Sequence, residues 1–337
     1  MTKSGFQRQP TSFDVARKAG VSRSAVSRAF TPGASIAADT RDKVMQAADA
    51  LGYRVNELAK GLSNQRSNLV GLIVADLDTP FRSAQVDALT RELVATHYHP
   101  ILFTADGPVE TARTLHQLLH YNLSGAVVTS DAPPSEICIE CARLGVPLVL
   151  VNKQQELAAV DRVVGDNPRG GRLAAEALIA SGCRNLVAVR PSRQSYSLEA
   201  RIEEFLGAAR DADINARVFA AGPQTYEGGR QSAAGFVAQE MAPSTGLFCP
   251  MDLMALGMLD ALRSDHAVRV PDDVCLIGYD DIPQASWQPY RLTTIRQPTA
   301  LLAQAAVSML MARIENPAAE RRTSIVPVEL VRRSTTR

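Results

Sequence analysis

The sequence has no run of 18 apolar residues, and its first ten residues, MTKSGFQRQP, contain no apolar segment typical of a secretion signal. We therefore expect no contact with a membrane and predict a protein of the cytoplasm. Only five cysteines occur among 337 residues, and this odd, scattered set does not indicate a disulfide framework. Cys138 and Cys141 are three apart within PSEICIECARLG, so we interpret them as buried thiols on one helix face.

The short motifs of common enzyme classes are also missing. We find no P-loop, no G-x-S-x-G and no G-x-G-x-x-G after a predicted strand. His116 and His120 have the i, i+4 spacing of paired metal ligands, but no acidic ligand accompanies them, and we interpret them as a surface pair. The sequence therefore predicts no catalytic residue, no metal site and no cofactor.

Charge is distributed unevenly along the chain, although the formal net charge is only +1. Residues 1–66 contain 11 Lys/Arg and 5 Asp/Glu, which leaves a formal charge of +6 there and −5 in the remainder. A small basic segment on a mildly acidic body is typical of proteins that bind a polyanion such as DNA.

The segment 11–30, TSFDVARKAGVSRSAVSRAF, predicts two short helices around Gly20. Gly20 is suited to the turn because glycine adopts positive φ without strain, and Ser22 is suited to capping the second helix. The second helix has too few apolar residues for a core element, so we expect it to present a polar face to a partner. Residues 38–51 predict a third helix, and 56–68 a marginally helical segment that ends in a polar linker.

From Leu69 onward, short apolar runs alternate with helical patterns of ten to fifteen residues. The runs are LVGLIVADL, PILFTA, GAVVTS and PLVLVN, then NLVAVR, RVFAA, TGLFC and VCLIGY. This alternation indicates parallel strands buried on both faces, in two doubly wound lobes. Ligands bind beyond the carboxyl ends of such strands. The strand-end residues to consider are therefore Asp76–Phe81, Asp106, Thr129–Asp131, Asn152–Lys153, Asp166, Arg190–Arg201 and Tyr279–Asp281.

Several motifs, in this order along the chain, resemble the lac repressor family of bacterial transcription regulators. They are FDVARKAGVSRSAVSR, TRDKV, LGYRVN, DNPRGGR, DLMALG, VPDDVCLIGYDD and LTTIRQP. The resemblance implies an all-α helix-turn-helix headpiece over 1–55, a hinge helix and linker over 56–67, and a periplasmic-binding-protein-like α/β core over 68–337. It also implies two doubly wound parallel-sheet lobes in this core. The first lobe is expected to comprise residues of about 68–164 and 293–320, and the second lobe residues of about 165–292 and 321–337.

The same resemblance implies a homodimer that binds near-palindromic operator DNA and a small-molecule effector, as a repressor. Arg23, Ser24 and Arg28 match base-contacting positions of the recognition helix, and arginine suits guanine because its fork matches O6 and N7. A phosphate contact is the alternative for Arg23. Phosphate contacts are expected of Ser12, Ser22 and Ser27. In the hinge, Leu62 matches a minor-groove wedge, flanked by Asn56, Ala59 and Lys60.

The implied effector pocket departs from the family pattern. Arg201 and Asp280 match paired ligand anchors, but Met251 replaces an asparagine of sugar-binding relatives, and Gln224, Arg82 and Lys153 stand at aromatic positions. We expect a sugar, or an anionic effector such as a sugar acid, a phosphorylated sugar or a small carboxylate. Alternatively, Arg82 and Lys153 pair with Asp78, Asp131 or Asp166 across the cleft. The full set of expected effector residues is Phe81, Arg82, Thr129, Asp131, Lys153, Asp166, Arg201, Gln224, Met251 and Asp280.

Two other classes share the core fold. One is an exported small-molecule binding protein, which would carry a signal peptide and no basic headpiece, and the other is an enzyme. The N-terminal 66 residues favour the regulator over both.

The headpiece also departs from the family pattern. Ala37 stands where relatives place a serine cap before the third helix, so we expect a less stable headpiece unless Ser35 or Asp39 supplies the cap.

Overall fold

A computed structural model describes residues 8–31, 33–54, 67–130, 132–154, 157 and 160–337. The chain divides into two compact units, Met1–Ser67 and Asn68–Arg337, which we call the headpiece and the core. The predicted hinge residues Asn56, Ala59, Lys60 and Leu62, and the predicted pocket residue Asp131, lie outside the described residues. Within the described part, no helix is long and apolar enough to cross a membrane.

The headpiece consists, over its described residues, of helices α1 (Ser12–Ala19), α2 (Arg23–Ala29) and α3 (Ala38–Leu51). The turn between α1 and α2 depends on Gly20, which ends α1 in the left-handed region at φ 67°. Ser22 caps α2 as predicted, since its hydroxyl oxygen accepts the backbone N–H of Ala25 at 3.2 Å. The three helices bury one small apolar core, to which Val15, Val26 and Val44 contribute fully buried side chains.

The apolar side chain of Phe13, near the start of α1, does not join this core. Its ring is 59% exposed, and the Arg17 guanidinium lies over it at 5.9 Å. At the start of the same helix, Thr11 and Asp14 form a capping box, with the Thr11 N–H donating to the Asp14 carboxylate at 2.9 Å. These hydrogen bonds hold the pKa of Asp14 below its usual value.

The start of α3 has no side-chain cap, as the sequence predicted, because Ala37 occupies the cap position in an extended conformation. Replacing Ala37 by serine should therefore stabilise the headpiece by about 1 kcal/mol, since serine supplies an acceptor for a first-turn N–H. Hydrogen exchange of the α3 amides measures this directly. Equal or faster exchange in Ala37→Ser than in the parent chain would contradict the expectation.

The first sheet of the core has the strand order β11-β5-β4-β3-β1-β2 in the described chain, and all its pairs are parallel. Its strands are β1 (Leu69–Val74), β2 (His99–Thr104), β3 (Gly125–Val128), β4 (Leu148–Val151), β5 (Val160–Gly165) and β11 (Thr323–Val326). Its helices are α4 (Pro80–Ala95), α5 (Gly107–Leu118), α6 (Ser135–Arg143) and α11 (Thr299–Glu315). We call this assembly lobe 1.

The second sheet has the order β12-β10-β9-β8-β6-β7 over the described residues, and β12 runs antiparallel to β10. Its strands are β6 (Asn185–Arg190), β7 (Asn215–Ala220), β8 (Thr245–Phe248), β9 (Val274–Asp280), β10 (Thr293–Arg296) and β12 (Glu329–Val331). Its helices are α7 (Asn167–Ala180), α8 (Tyr196–Asp211), α9 (Tyr226–Gln239) and α10 (Asp252–Ser264). We call this assembly lobe 2.

The division at the C-terminal crossings differs from the expected one. Strand β10 was expected in lobe 1 and pairs with β9 of lobe 2, whereas β11 was expected in lobe 2 and pairs with β5 of lobe 1. Helix α11 packs in the core of lobe 1, where the sequence analysis placed it. The crossings therefore fall after β5, between β10 and α11, and between β11 and β12.

Helices α7 and α8 approach closely because of the GG pair in the DNPRGGR motif. A Cβ on Gly171 would overlap the backbone carbonyl oxygen of Arg201, and a Cβ on Gly170 would overlap the Tyr279 ring. The absence of both side chains lets α7 lie against α8 and against β9. This contact positions Arg201, which projects from α8 into the region between the lobes.

Candidate functional sites: a polar recognition helix and a cationic cleft

Helix α2 has the polar face that the sequence predicted. Val26 and Ala29 are buried against the other two helices, while Arg23, Ser24, Ser27 and Arg28 are exposed. The Ser22 and Ser24 hydroxyls lie 2.9 Å apart, and the Arg28 Nε donates to the Ser24 carbonyl at 3.3 Å.

Arg23 is the first residue of α2 and forms no hydrogen bond or ion pair with any described residue. Its side chain is exposed at the helix end that a helix-turn-helix protein presents to base edges. A face of this kind can donate hydrogen bonds to the major groove of a duplex. Ser12, expected to contact phosphate, starts α1 and is half-buried.

A cleft of about 900 Å³, open to solvent, lies between the two lobes of the core. Lobe 1 contributes the end of β1, the first turn of α4 and the end of β4. Lobe 2 contributes the loop before α8, the starts of α8 and α10, and the end of β9. The cleft therefore lies at the carboxyl ends of parallel strands and at helix N-termini, where ligand sites of such sheets are found.

An almost fully buried ion pair lies at the inner end of the cleft. Arg201 Nη1 is 3.7 Å from Asp280 Oδ1, and the two side chains are 5% and 8% exposed. The guanidinium stacks at 3.6 Å over the Tyr279 ring, while its Nε donates to Asn167 and its Nη1 to the Pro250 carbonyl. These contacts hold Arg201 rigidly, and its Nη2 has no hydrogen-bond partner among the described residues.

Burial also affects the ionisation of Asp280, the carboxylate of this ion pair. Burial raises the pKa of its carboxyl to about 6, against the opposing effects of Arg201, Gln297 and Arg82. Its backbone has φ 114°, an uncommon conformation for a residue with a side chain, at a point that lines the cleft.

A chain of buried amides connects the lobes beside this pair. Gln297 donates from Nε2 to Asp280 Oδ1 at 2.7 Å, and Asn152 donates from Nδ2 to Gln297 Oε1 at 3.2 Å. Asn152 Oδ1 in turn accepts the Gly165 N–H at 2.9 Å. Asn152 ends β4 of lobe 1, whereas Gln297 follows β10 of lobe 2, so the chain of hydrogen bonds crosses the boundary between the lobes.

A second ion pair joins the lobes nearer to solvent. Arg193 Nη1 is 3.5 Å from both carboxylate oxygens of Asp76, and the side chains are 45% and 31% exposed. Asp76 follows β1 of lobe 1, and Arg193 lies in the loop between β6 and α8 of lobe 2.

Arg82 differs from the other two cleft arginines in having only neutral partners. Its Nη1 donates to the Gln85 side-chain oxygen at 3.4 Å and to the Thr129 carbonyl at 3.2 Å, and no described carboxylate pairs with it. Burial lowers the pKa of the guanidinium, Asp76 and Asp280 raise it, and Arg201 and Arg193 lower it. Arg82 therefore lies between the two ion pairs as a cation that neither pair neutralises.

Comparisons with known proteins agree with this architecture. A profile described as bacterial regulatory proteins, lacI family, matches residues 13–56, and one described as a periplasmic binding protein-like domain matches 175–336. The lac repressor dimer bound to operator and the anti-inducer ONPF is similar in structure, with a TM-score of 0.88 and 26% identity over 98% of this chain and 99% of that one.

Curated relatives match almost end to end. The ribose operon repressor of Haemophilus influenzae is 28% identical, over 93% of this chain and 94% of its own length. The transcriptional regulator GalS of Salmonella typhimurium is 31% identical, over 88% of each chain. The chain belongs to the lacI family.

Membership of the lacI family confirms the predicted fold class and the prediction of a DNA-binding transcription regulator over an enzyme or an exported binding protein. A regulator from Enterococcus faecium in the same family has a core solved with bound ribose, similar at a TM-score of 0.72 and 26% identity over 80% of this chain and 98% of that one.

The structure brings most of the predicted effector residues together. Those that line the cleft are Phe81, Arg82, Lys153, Arg201, Gln224, Met251 and Asp280. Thr129 and Asp166 do not line it. The Thr129 side chain is buried and only its carbonyl reaches Arg82, while Asp166 caps α7 by accepting the Arg169 N–H at 3.0 Å.

Several residues that line the cleft lie outside that predicted set, among them Asp76, Asn152, Arg193 and Gln297. The first three fall in strand-end segments that the sequence had already marked, and Gln297 belongs to the LTTIRQP motif. The alternative pairing of Arg82 with Asp78 or Asp166 is wrong, because Arg82 forms no ion pair with a described residue.

The other candidate sites have ordinary structural explanations. Cys138 and Cys141 are buried on α6, and burial raises the pKa of these thiols to about 11 and about 12. His116 lies on the surface, and its Nδ1 is 3.6 Å from Glu140 Oε2. The ring centroids of His116 and His120 are 6.0 Å apart. Among the described residues, no three metal-ligating side chains form a group that could hold an ion.

Proposed function

We propose that this protein is a homodimeric repressor in the cytoplasm, with one headpiece on each half of a near-palindromic operator. A small molecule bound between the lobes changes operator affinity, because it binds more tightly to one arrangement of the lobes than to the other. The likeness to a repressor dimer bound to operator supports the assembly. The polar face of α2 supports DNA recognition in the major groove.

In this proposal, Arg23, Ser24 and Arg28 contact bases, and Ser12, Ser22 and Ser27 contact phosphates. The exposure of five of these side chains supports the assignment, and only Ser12 is half-buried. The hinge positions Asn56, Ala59, Lys60 and Leu62 complete the proposed interface, with Leu62 inserted between base pairs of the minor groove.

Arg23→Ala should cost about 1–3 kcal/mol of binding free energy and relax specificity at one base pair in each half-site. The reason is that a bidentate guanidinium distinguishes guanine from the other bases, whereas alanine distinguishes none. Affinities for a set of operators with single substitutions measure this. An equal loss on every sequence would instead identify Arg23 as a phosphate contact.

We further propose that the effector is anionic, and one observation carries this proposal: Arg82 lies in the cleft with only neutral partners among the described residues. A partly buried cation without a counter-charge is unfavourable in the empty cleft and becomes favourable when an anion binds. Two further features agree. Lys153 also lines the cleft, and neither α4 nor α10 has a side-chain cap at the N-terminus that faces it.

A carboxylate effector should bind more tightly as the pH falls from about 8 to about 5. Burial raises the pKa of Asp280 to about 6, so this carboxyl gains a proton in that range and the cleft becomes more positive. The raised pKa also means that ionised Asp280 costs stability above pH 6, a cost that disappears as the pH falls toward 3.8. Asp280→Asn should make the affinity independent of pH, and calorimetry at several pH values tests this.

The proposed function is tested by selection of bound duplexes from a random pool by the full-length chain at fixed salt, with and without a metabolite panel. A palindrome with two half-sites is expected to be enriched. A metabolite that changes the enrichment, confirmed by calorimetry, is the effector, and the sign of the change distinguishes an inducer from a corepressor. Tight binding of neutral sugars alone would contradict the anionic assignment, whereas failure of enrichment under all conditions would contradict operator recognition.

A further inference from the structure

Most polar side chains that line the cleft are already hydrogen-bonded within the protein. The amides of Asn152 and Gln297 bond to each other and to neighbours at both ends of their chain. The hydroxyls do likewise: Ser197 donates to the Asn152 carbonyl at 3.2 Å, Ser130 pairs with Thr111 at 3.0 Å, and Thr79 donates to the Asp76 carbonyl at 2.9 Å.

This arrangement leaves little capacity to recognise a ring of hydroxyl groups. Of the neutral polar side chains that line the cleft, Gln194 and Gln224 alone have no hydrogen bond within the described structure. A polyhydroxylated ligand loses its hydrogen bonds to water when it is buried, and it binds well only where the protein replaces them. Beyond these two amides and Arg201 Nη2, such a ligand would have to break existing hydrogen bonds of the protein first.

The remaining wall of the cleft is apolar and is formed by both lobes. Phe81, from the first turn of α4 in lobe 1, packs against the lobe 2 core beside Ile282 and Leu253. Met251 and Leu198 continue this surface at the starts of α10 and α8. An apolar wall next to the cation Arg82 therefore faces whatever occupies the cleft.

We infer that the effector is an acid with a compact apolar body, an aromatic or short aliphatic carboxylate, and not a polyhydroxylated sugar derivative. Its carboxylate pairs with Arg82, and its body lies against Phe81 and Met251. This inference rests on the proposed function, because it narrows the class of anion that the regulator binds.

The test compares five probes on the full-length chain by thermal shift and calorimetry: benzoate, hexanoate, gluconate, glucose 6-phosphate and glucose. Benzoate or hexanoate is expected to bind more tightly than either sugar anion. Binding of gluconate or glucose 6-phosphate without benzoate or hexanoate would overturn this inference and leave the anionic proposal intact. Binding of glucose alone, or of no acid at millimolar concentration, would overturn both.

Two methionine variants separate the apolar wall from general effects on the fold. Met251→Asn should weaken the binding of the apolar acid about tenfold, which corresponds to about 1.4 kcal/mol. Met241→Asn, on the surface of lobe 2 at 39% exposure, is the matched control and should leave affinity unchanged. Equal affinity in Met251→Asn and the parent chain would show that the apolar wall does not contact the ligand.

Discussion

Replacement of Arg82 by methionine is expected to remove most of the effector affinity and to leave the ligand-free protein as stable as before, or more stable. Arg82 loses water on folding without gaining a carboxylate partner, as the lowered pKa of its guanidinium reflects. Methionine has a similar length and no charge, so this cost disappears. Loss of a charge-assisted hydrogen bond to the effector costs about 1.5–3 kcal/mol, or about 10- to 100-fold in affinity.

The measurements are calorimetry with the effector and thermal unfolding without it. Arg91→Met is the matched control, because Arg91 lies on the same helix, is 78% exposed and pairs with Asp87 at the surface. That variant should change neither quantity appreciably. Unchanged effector affinity in Arg82→Met, or a clear fall in its thermal stability, would show that the guanidinium has a structural role instead.

Replacement of Asp161 by asparagine should destabilise lobe 1 by about 3–5 kcal/mol. Asp161 is fully buried on β5, and its carboxylate accepts from Arg313 Nη2 at 2.6 Å and Nε at 3.1 Å, and from the backbone N–H of Arg322 at 2.8 Å. Arg313 is 3% exposed, so loss of the negative charge leaves a buried guanidinium unpaired. The cluster fastens β5 to α11 and to the segment that enters β11.

Thermal or urea unfolding of the full-length chain measures this effect. Asp87→Asn is the control, since its ion pair with Arg91 is exposed and should contribute less than about 1 kcal/mol. Adding Arg313→Met to Asp161→Asn should restore part of the loss, because it removes the unpaired charge as well. A loss in Asp161→Asn no larger than in the control would mean that the buried cluster does not stabilise the lobe.

Arg82 and Asp161 are both charged side chains removed from water, Arg82 in the cleft between the lobes and Asp161 beside a crossing between them. Their charges have opposite consequences for the protein. At the C-terminal crossing of lobe 1, the Asp161 carboxylate pairs with the guanidinium groups of Arg313 and Arg322. We expect this cluster to stabilise the folded lobe. In the cleft, the Arg82 guanidinium has no carboxylate partner among the described residues, and the proposed ligand would offset the resulting cost in stability. This contrast is the reason why we propose the cleft, and not the buried cluster, as the place where an anion binds.

The helix-turn-helix was predictable in detail because local chemistry specifies it. Gly20 at the turn, Ser22 at the cap and the apolar spacing of α2 act within a few residues of one another. The alternating pattern also predicted the helices of the core, and several of them begin with a proline in the first turn. Pro80, Pro108 and Pro168 lie in those first turns, where a missing N–H costs nothing.

Strand β5 was not among the strands that the sequence pattern predicted. Its segment VDRVVG is buried throughout, yet Asp161 and Arg162 interrupt the apolar run that predicts a buried strand. Only the tertiary fold brings Arg313, from 152 residues away, to neutralise Asp161. The assignment of β10 and β11 to lobes failed for a related reason, since pairing between strands distant in sequence is decided by the whole sheet.

The sequence by itself determined the class of protein, the basic headpiece, the exposed face of α2 and most of the residues at the strand ends. The class of protein follows from the resemblance of several motifs to one family, and the other features follow from periodicity, capping or composition over a short window. The tertiary structure alone decided that Arg201 pairs with Asp280, that Arg193 pairs with Asp76, and that Arg82 has only neutral partners within the described part of the chain. The sequence shows which side chains are charged, but it does not show which of them lie close together. Only the folded chain shows which carboxylate lies within reach of a given arginine.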